Sequence, residues 1–314
     1  MASPSALAED PVRSHPKAMP APHAARLVSR ALLAVSGEEA VPFLQGLVSN
    51  DVERAAKGTP VHAALLTAQG KFLHEFFVVP RGGALLLDVE AARRDDLKRR
   101  LTLYRLRAKV QIANEDAHAV WALWGEGALQ RLRVQGRALA ALDGGGIAYA
   151  DPRLDALGAR AILPAGASPA GLGFAEASAE DYDRWRLAHG VPDGSRDLEI
   201  EKSILLESNF EELNGIDFAK GCYVGQELTA RTKYRGLVKK RLFPVAIDGP
   251  PPAPGTPVTA NGQDAGTMRS ANGERGLALL RLDAVQDALA GKAALEAAGA
   301  RLKPETPAWM RVSA

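Results

Sequence analysis

The sequence predicts an α+β protein that ends in a small β-barrel. Strand-like runs in the first half are joined by the hairpin-style connections Gln69-Gly70 and Arg81-Gly82-Gly83, which favour antiparallel pairing. Apolar residues recur at helical spacing after Gly37, so helices are mixed with these strands. Near the C-terminus, a Pro-rich segment at 249–257 separates short β-like runs that together suit a barrel of about seventy residues.

The element boundaries follow from the same patterns. Predicted strands span residues 27–35, 61–67, 72–79, 84–89, 120–124, 147–150, 159–163, 241–247, 257–260, 266–269 and 276–280. Predicted helices span residues 37–50, 91–103, 129–134 and 178–189. The last helix has a start and a stop that agree, because Ser178 is a favourable N-cap and Gly190 with Pro192 ends it.

The charge balance excludes an overall field that would draw the protein to nucleic acid or to a membrane. The 314 residues include 39 basic and 37 acidic side chains, for a net charge of +2. No apolar run is long enough to span a bilayer. Residues 1–23 are rich in Ala, Pro and Ser, so a disordered tail is predicted there, with a mitochondrial presequence as the alternative. We therefore expect no membrane partner and a cytoplasmic location, or the mitochondrial matrix if the source is eukaryotic.

The sequence gives little support for a metal site of its own. Its one cysteine, Cys222, excludes an internal disulfide and an all-cysteine iron–sulfur site within one chain, because such clusters usually take four protein ligands. The six histidines show no HxxxH or HExxH spacing. We predict no tightly bound metal in the isolated monomer.

The most distinctive segment is the octet Lys-Gly-Cys-Tyr-Val-Gly-Gln-Glu at residues 220–227. No Walker A sequence, GxGxxG after a strand or GxSxG motif competes with it. Glycines on both sides of Cys222 permit a tight backbone path that a ligand or partner can approach, and Lys220 is close enough in sequence to favour a thiolate. The alternative is that the lone cysteine is a small buried hydrophobe. The residues alone leave these two alternatives open.

Two cationic segments are candidates for binding anions. Arg105, Arg107 and Lys109 alternate with apolar residues, which on a strand would place three cations on one face. Residues 233–241 include five cations and no acid, a pattern able to hold nucleic acid or a γ-glutamate chain. A solvated basic face is the favoured interpretation of 233–241, because no aromatic ladder or RNA-binding signature accompanies it.

The octet and its continuation, Leu228-Thr229-Ala230-Arg231, resemble the signature of the YgfZ/GcvT-like folate-binding family. That family includes YgfZ-type iron–sulfur cluster assembly or repair factors and is related to the T-protein of the glycine cleavage system. Other segments resemble the family in the same order along the chain, at 43–47, 69–71, 104–107, 151–153, 157–158, 206–209 and 240–242. The resemblance covers the chain from about residue 24 to its C-terminus.

The resemblance implies three domains in a ring around a central folate pocket, the last domain being the β-barrel. The implied limits are 24–241 for a folate-binding α+β region of two interleaved domains and 242–314 for the barrel. Glu207 would hold the pterin of tetrahydrofolate by accepting paired hydrogen bonds from the ring. Cys222 would be the catalytic residue. The other cofactor-binding residues would be Lys220, Tyr223, Gln226 and Arg231.

The sequence departs from the T-protein at a position that matters for function. The T-protein has a paired aspartate after Gly-Gly that supplies the acid for aminomethyl transfer, whereas this chain has Gly70-Lys71-Phe72-Leu73-His74-Glu75, in which Glu75 stands at a related position. The resemblance therefore favours an accessory factor that binds tetrahydrofolate and helps to assemble or repair clusters in client enzymes, with Cys222 contacting the cluster, a donor or a redox partner. Its partners would be folate and iron–sulfur client enzymes or assembly proteins. The alternatives are a folate-dependent aminomethyltransferase and a factor that binds tRNA through residues 233–241.

Overall fold

A computed structural model describes residues 21–311, which contain seventeen strands and eight α-helices. The strands are β1 His23–Arg26, β2 Arg30–Ser36, β3 Val61–Leu66, β4 Phe72–Arg81, β5 Ala84–Glu90, β6 Gln111–Glu115, β7 His118–Trp124, β8 Ala140–Leu142, β9 Gly146–Ala150, β10 Ala159–Pro164, β11 Ala175–Glu176, β12 Lys240–Asp248, β13 Pro257–Ala260, β14 Gln263–Asn272, β15 Arg275–Arg281, β16 Leu295–Ala297 and β17 Ala300–Pro304. The helices are α1 Ala40–Gln45, α2 Val52–Ala56, α3 Arg94–Arg105, α4 Ala128–Arg131, α5 Ala179–Ala188, α6 Gly194–Asp197, α7 Gln226–Tyr234 and α8 Leu282–Leu289. Short 3₁₀ turns lie at Ala91–Arg93, Asp155–Leu157, Pro169–Leu172 and Leu205–Ser208. Residues 1–20, which hold most of the predicted disordered tail, lie outside the described residues.

The strands form two sheets and a closed barrel. The first sheet has the strand order β3-β4-β5-β2-β6, and its neighbours are antiparallel. The second sheet has the order β11-β1-β7-β10-β9-β8, in which β1 and β11 are parallel and the other pairs antiparallel. Six strands close the C-terminal barrel in the order β12-β15-β14-β13-β16-β17. The predicted α+β class and C-terminal barrel are therefore confirmed.

The chain crosses from the second sheet to the first between β1 and β2. β1 pairs with β7, whereas β2 pairs with β5, and the N–H of Arg30 donates to the carbonyl of Leu27 (2.9 Å) in the turn that joins them. The strand predicted over 27–35 is therefore confirmed from Arg30 onward as β2, whereas residues 27–29 lie in the connection between β1 and β2. The domain limits implied by the family resemblance, 24–241 and 242–314, remain a prediction. For comparison, the first strand, β1, begins at His23, and the first barrel strand, β12, begins at Lys240.

Two further predicted elements differ from the structure. The helix predicted over 37–50 is shortened to α1, because Val48 leaves it to form a β-bridge with Leu65. The cationic strand predicted from Arg105 to Lys109 is wrong. Arg105 ends α3, and Leu106 has a φ of 44°, a left-handed conformation that no strand contains. The predicted cationic face therefore does not form.

The N-cap predicted at Ser178 is confirmed. Its side chain accepts a hydrogen bond from the N–H of Asp181, and the Asp181 carboxylate accepts one from the N–H of Ser178. This reciprocal capping box satisfies two backbone donors that the first turn of α5 would otherwise leave free.

Strand β2 shows how the layers share their apolar residues. Leu33 and Val35 face the core under α1 to α3, where they pack with Leu44 and Leu97. Leu32 points the other way, into the core between the two sheets. Because successive strand residues alternate in direction, one apolar strand supplies both layers. The barrel has a separate core of its own inside β12 to β17.

A buried charge network joins the two sheets. Asp88 of β5 is fully buried and accepts hydrogen bonds from Nε of Arg30 (2.7 Å) and from Nε of Arg160 on β10 (3.0 Å). Nη1 of Arg30 also donates to Oε1 of Glu75 (2.6 Å), whose Oε2 lies 2.8 Å from Nε2 of His62. Buried charges are tolerated only when they are paired and hydrogen-bonded. Asp88 is therefore the bridge on which this contact between the sheets depends.

We expect Asp88→Asn to lower the free energy of unfolding by about 3–5 kcal/mol, because asparagine removes the buried carboxylate that Arg30 and Arg160 share, although Arg30 keeps its pair with Glu75. Chemical denaturation followed by circular dichroism measures the change. The matched control is Asp116→Asn, which removes a surface partner of Arg94 with a 70% exposed carboxylate and should change the free energy by less than about 1 kcal/mol. A loss at Asp88 no larger than the loss at Asp116 would contradict the bridging role.

Candidate functional site

Residues 220–227 form a loop that leads into the first turn of α7. Cys222 is exposed to solvent at the tip of this loop. On either side the chain becomes less accessible, with Lys220 half-buried and Tyr223 buried. The exposure of Cys222 excludes the alternative in which this thiol packs as a buried hydrophobe. Since the sequence has no other cysteine, Cys222 is the thiol that the protein presents to its surroundings.

Lys220 fixes the start of the loop against the end of α1. Its Nζ lies 2.8 Å from the carbonyl oxygen of Gln45, 2.7 Å from that of Val48 and 2.8 Å from that of Asn50. A lysine ammonium has three N–H donors, and here each has a carbonyl acceptor. The ammonium therefore has no donor left for a folate ligand or for the Cys222 thiol.

Tyr223 and Gln226 shape the end of the loop. Tyr223 is buried in a core that includes Leu66 and Phe72, and burial raises the pKa of its hydroxyl. Its backbone N–H donates to Oε1 of Gln226 (3.2 Å). Both residues therefore stabilise the loop that carries Cys222, and their predicted contact with folate stays a prediction.

Gly225 brings the loop against the turn between β3 and β4. Its φ is 83°, and a Cβ at this position would stand 2.5 Å from the carbonyl oxygen of Thr67 and 3.0 Å from Cα of Gly70. Gly70 is constrained in the same way, since a Cβ there would stand 2.8 Å from the carbonyl oxygen of Gly225. Only glycine combines the left-handed conformation with this close approach. Residues 69–71 and the octet, two segments that resemble the same family, thus touch each other in the fold.

Glu207 lies outside the loop, on the 3₁₀ turn Leu205–Ser208, which packs against α7 and shares a core with Tyr223. Its half-buried carboxylate makes no hydrogen bond or ion pair within residues 21–311. Burial raises the pKa of Glu207, against the opposing effect of Lys71, Lys240 and Arg269. A partly desolvated carboxylate without an internal partner is an acceptor available to a ligand.

The structure does not gather all the predicted cofactor residues at one point. Cys222, Lys220, Tyr223 and Gln226 share the loop, whereas Arg231 is exposed on α7 and pairs with Glu227 one turn earlier. A cavity of about 720 Å³ is lined by Leu206, Thr232, Val238 and Arg241, among others. None of the six predicted site residues lines this cavity.

Two of the five cations in residues 233–241 have partners within the protein. Nζ of Lys233 lies 2.6 Å from Oε1 of Glu211. Arg241 is buried, where it donates to Oδ1 of Asn209 and to Oε1 of Glu212. This segment therefore presents fewer free cations to a polyanion than its sequence indicates.

Glu75, at the position related to the catalytic aspartates of the T-protein, belongs to the buried network. Both of its carboxylate oxygens are bonded, one to Arg30 and the other to His62. Although burial opposes ionisation, the Arg30 guanidinium and His62 hold the pKa of Glu75 well below its usual range. Glu75 is thus ionised at neutral pH and belongs to the buried scaffold.

The sequence did not predict the groups that hydrogen-bond to the loop or to the chain just before it. The carbonyls that hold Lys220 have no side-chain signature, and the nearest signal was the family resemblance at 43–47. Ser49 was also missed. Its Oγ donates to the carbonyl of Gly215 (2.6 Å) and accepts from the N–H of Ala64 (2.9 Å), which ties the chain before the loop to β3.

Neither a metal centre nor a membrane span is found in the described part of the chain. Residues 21–311 contain no group of three or more His, Cys, Asp or Glu side chains placed to hold a metal ion. Among the same residues, no helix has the length and apolar character needed to cross a membrane.

The fold is similar to that of a solved aminomethyltransferase. The crystal structure of glycine cleavage system aminomethyltransferase T from Bartonella henselae superposes with a TM-score of 0.72 and 15% sequence identity, covering 92% of this chain and 86% of that one. Residues 239–312 match the family model described as CAF17, C-terminal beta-barrel domain. The protein thus has a GcvT-like α+β fold with a six-stranded C-terminal barrel, as the family resemblance implied.

Curated relatives define the family. The human iron–sulfur cluster assembly factor IBA57, mitochondrial, is 36% identical over 305 residues, covering 90% of this chain and 84% of the human protein. The IBA57 homolog of Coccidioides immitis is 34% identical over 310 residues, covering 83% of this chain and 72% of the fungal protein. The chain belongs to the IBA57/CAF17 family of iron–sulfur cluster assembly factors. These relatives are mitochondrial by name; for this chain, the cytoplasm, or the mitochondrial matrix of a eukaryote, stays a prediction.

Proposed function

We propose that this protein supports the assembly or repair of iron–sulfur clusters in client enzymes through the exposed thiol of Cys222, and that it binds tetrahydrofolate at Glu207. Membership of the IBA57/CAF17 family supports the role in cluster assembly. The single observation that carries the proposal is the exposure of Cys222 on a loop held at both ends. Its partners are assembly proteins and the client enzymes that receive the cluster.

One thiol limits what the protein does with a cluster. A thiolate is a good ligand for iron, but clusters usually take four protein ligands, so Cys222 supplies one at most. Residues 21–311 offer no neighbouring set of His, Cys, Asp or Glu that would complete the coordination. The cluster is therefore cargo that a partner holds while the Cys222 thiolate contacts it, its donor or a redox partner.

The folate part of the proposal is supported by the free carboxylate of Glu207. An ionised carboxylate can accept two parallel hydrogen bonds from the neighbouring amino and imino groups of a pterin, and partial burial strengthens such bonds. Glu207 has this environment, since burial raises its pKa, and no side chain among residues 21–311 is hydrogen-bonded to it in competition. Bound tetrahydrofolate would supply a reduced pterin ring at this position.

The geometry favours this function over aminomethyl transfer. That reaction needs an acid able to exchange a proton with its substrate, and Glu75 is bonded through both oxygens in the buried network. Direct tRNA binding also has less support, because Lys233 and Arg241 are already paired. We therefore assign the protein an accessory role without aminomethyl turnover.

We expect Cys222→Ser to abolish the support of iron–sulfur enzymes without lowering the melting temperature or weakening folate binding. Serine has nearly the size of cysteine but forms no thiolate at neutral pH. Client activity in a deletion strain, together with thermal melting of the purified variant, measures both effects. The control is Gly221→Ala, since a Cβ on this neighbouring residue meets no atom within 4 Å. Full client activity with Cys222→Ser would remove the thiol from the function.

We expect Glu207→Gln to weaken tetrahydrofolate binding by roughly 1.5–3 kcal/mol, the scale of a charge-assisted hydrogen bond, while the fold stays intact. Calorimetry under anaerobic conditions measures the affinity. Glu201→Gln is the matched control, because the Glu201 carboxylate is 61% exposed. This variant should bind tetrahydrofolate with the wild-type affinity. Equal affinities of the wild type and Glu207→Gln would reject the pterin assignment.

A further inference from the structure

The loop that carries Cys222 is attached at both ends to the first sheet and its helices. Before the thiol, Lys220 is bound to the end of α1. After the thiol, Gly225 lies on the turn between β3 and β4. We propose that the Lys220 ammonium is the positioning group that fixes the Cys222 thiol relative to the first sheet. This inference rests on the proposed function, in which the thiol is the working group.

The contacts of Lys220 have the character of an anchor. Gln45 is the last residue of α1, and Val48 and Asn50 follow in the turn after it. The Gln45 carbonyl is one of the last carbonyls of α1, which have no partner within the helix, and the Val48 and Asn50 carbonyls belong to the segment that follows. All three carbonyl oxygens lie within 2.8 Å of Nζ, so each N–H donor of the ammonium has its own acceptor.

The backbone just before the loop is attached to the same place. The carboxylate of Asp217 accepts hydrogen bonds from the N–H groups of Ala219 (2.7 Å) and Lys220 (3.1 Å). The N–H of Asp217 donates in turn to the carbonyl of Ser49 (3.0 Å). The chain therefore reaches Lys220 along a path already bonded to the segment between α1 and α2.

The second anchor leaves little of the loop free. Tyr223 is buried, and Gly225 has no room for a Cβ beside Thr67. Between the Lys220 and Tyr223 anchors, the exposed residues are Gly221 and Cys222. A two-residue exposed segment between two fixed points has few conformations, provided that both points hold.

The ring of Tyr223 also faces the Lys220 ammonium, with its centroid 5.3 Å from Nζ. A cation within about 6 Å of an aromatic centroid is attracted by the ring. The Lys220 anchor and the Tyr223 anchor therefore contact each other beside the exposed segment that carries Cys222.

The single cysteine allows a direct test. A nitroxide methanethiosulfonate label attached to Cys222 reports the motion of the loop in its electron paramagnetic resonance line shape, and it removes the thiol itself as a titrating group. We expect labelled wild type to give a slow-motion spectrum at pH 7 and labelled Lys220→Met to shift to the fast-motion component. Lys57→Met is the matched control, because Lys57 has a 78% exposed side chain and should keep the wild-type spectrum.

A second measurement needs no substitution, so it remains informative if Lys220→Met does not fold. Acetylation of the native wild type with acetic anhydride, mapped by mass spectrometry, should modify Lys220 much more slowly than the exposed Lys57, because three carbonyls hold the Lys220 ammonium. Identical label spectra for folded Lys220→Met and wild type, or acetylation of Lys220 as fast as that of Lys57, would overturn the positioning role. Client activity does not enter this test. Failure of the proposed function appears instead as full activity of Cys222→Ser, so the two failures are distinguishable.

Discussion

Two sheets of this protein meet across buried charges, and the fold depends on every one of those charges having a partner. Asp88 lies between Arg30 and Arg160, at the point where β5 faces β10. The guanidinium groups of Arg30, Arg153 and Arg160 also lie over the ring of Phe77, at 5.4, 5.0 and 4.1 Å from its centroid. An unpaired charge in such a place costs several kcal/mol. The charged groups of this network are therefore committed to the scaffold.

This constraint explains where chemistry remains possible. Glu75 would be the natural acid for a T-protein reaction, but the network uses both of its oxygens. Among residues 21–311, the thiol of Cys222 and the half-buried carboxylate of Glu207 have no hydrogen bond or ion pair and remain accessible to solvent. In the function proposed above, Glu207 accepts hydrogen bonds from tetrahydrofolate and the exposed thiol contacts a partner, while Glu75 serves the scaffold.

The sequence predicted the features that depend on local patterns. The Ser178 cap, the antiparallel hairpins and the C-terminal barrel follow from residue types and spacing, and the octet pointed to Cys222. The strand predicted over 27–35 begins at Arg30 in the structure, because an apolar run does not show where a turn ends and a strand begins. The hydrogen bonds of the Lys220 ammonium could not be predicted, because its acceptors are backbone carbonyls from a segment 170 to 175 positions away. The pairing of Lys233 and Arg241 was hidden for the same reason, since their acidic partners are distant in sequence.

The proposed function depends on Cys222 being an exposed thiol in the folded protein. The rate at which iodoacetamide alkylates the native protein, followed by intact mass, tests this exposure most directly. We predict a single alkylation of the folded protein, at a rate close to that of the protein unfolded in guanidinium chloride, with the melting temperature unchanged. A native protein that resists alkylation and reacts only after unfolding would contradict the claim and return Cys222 to the core.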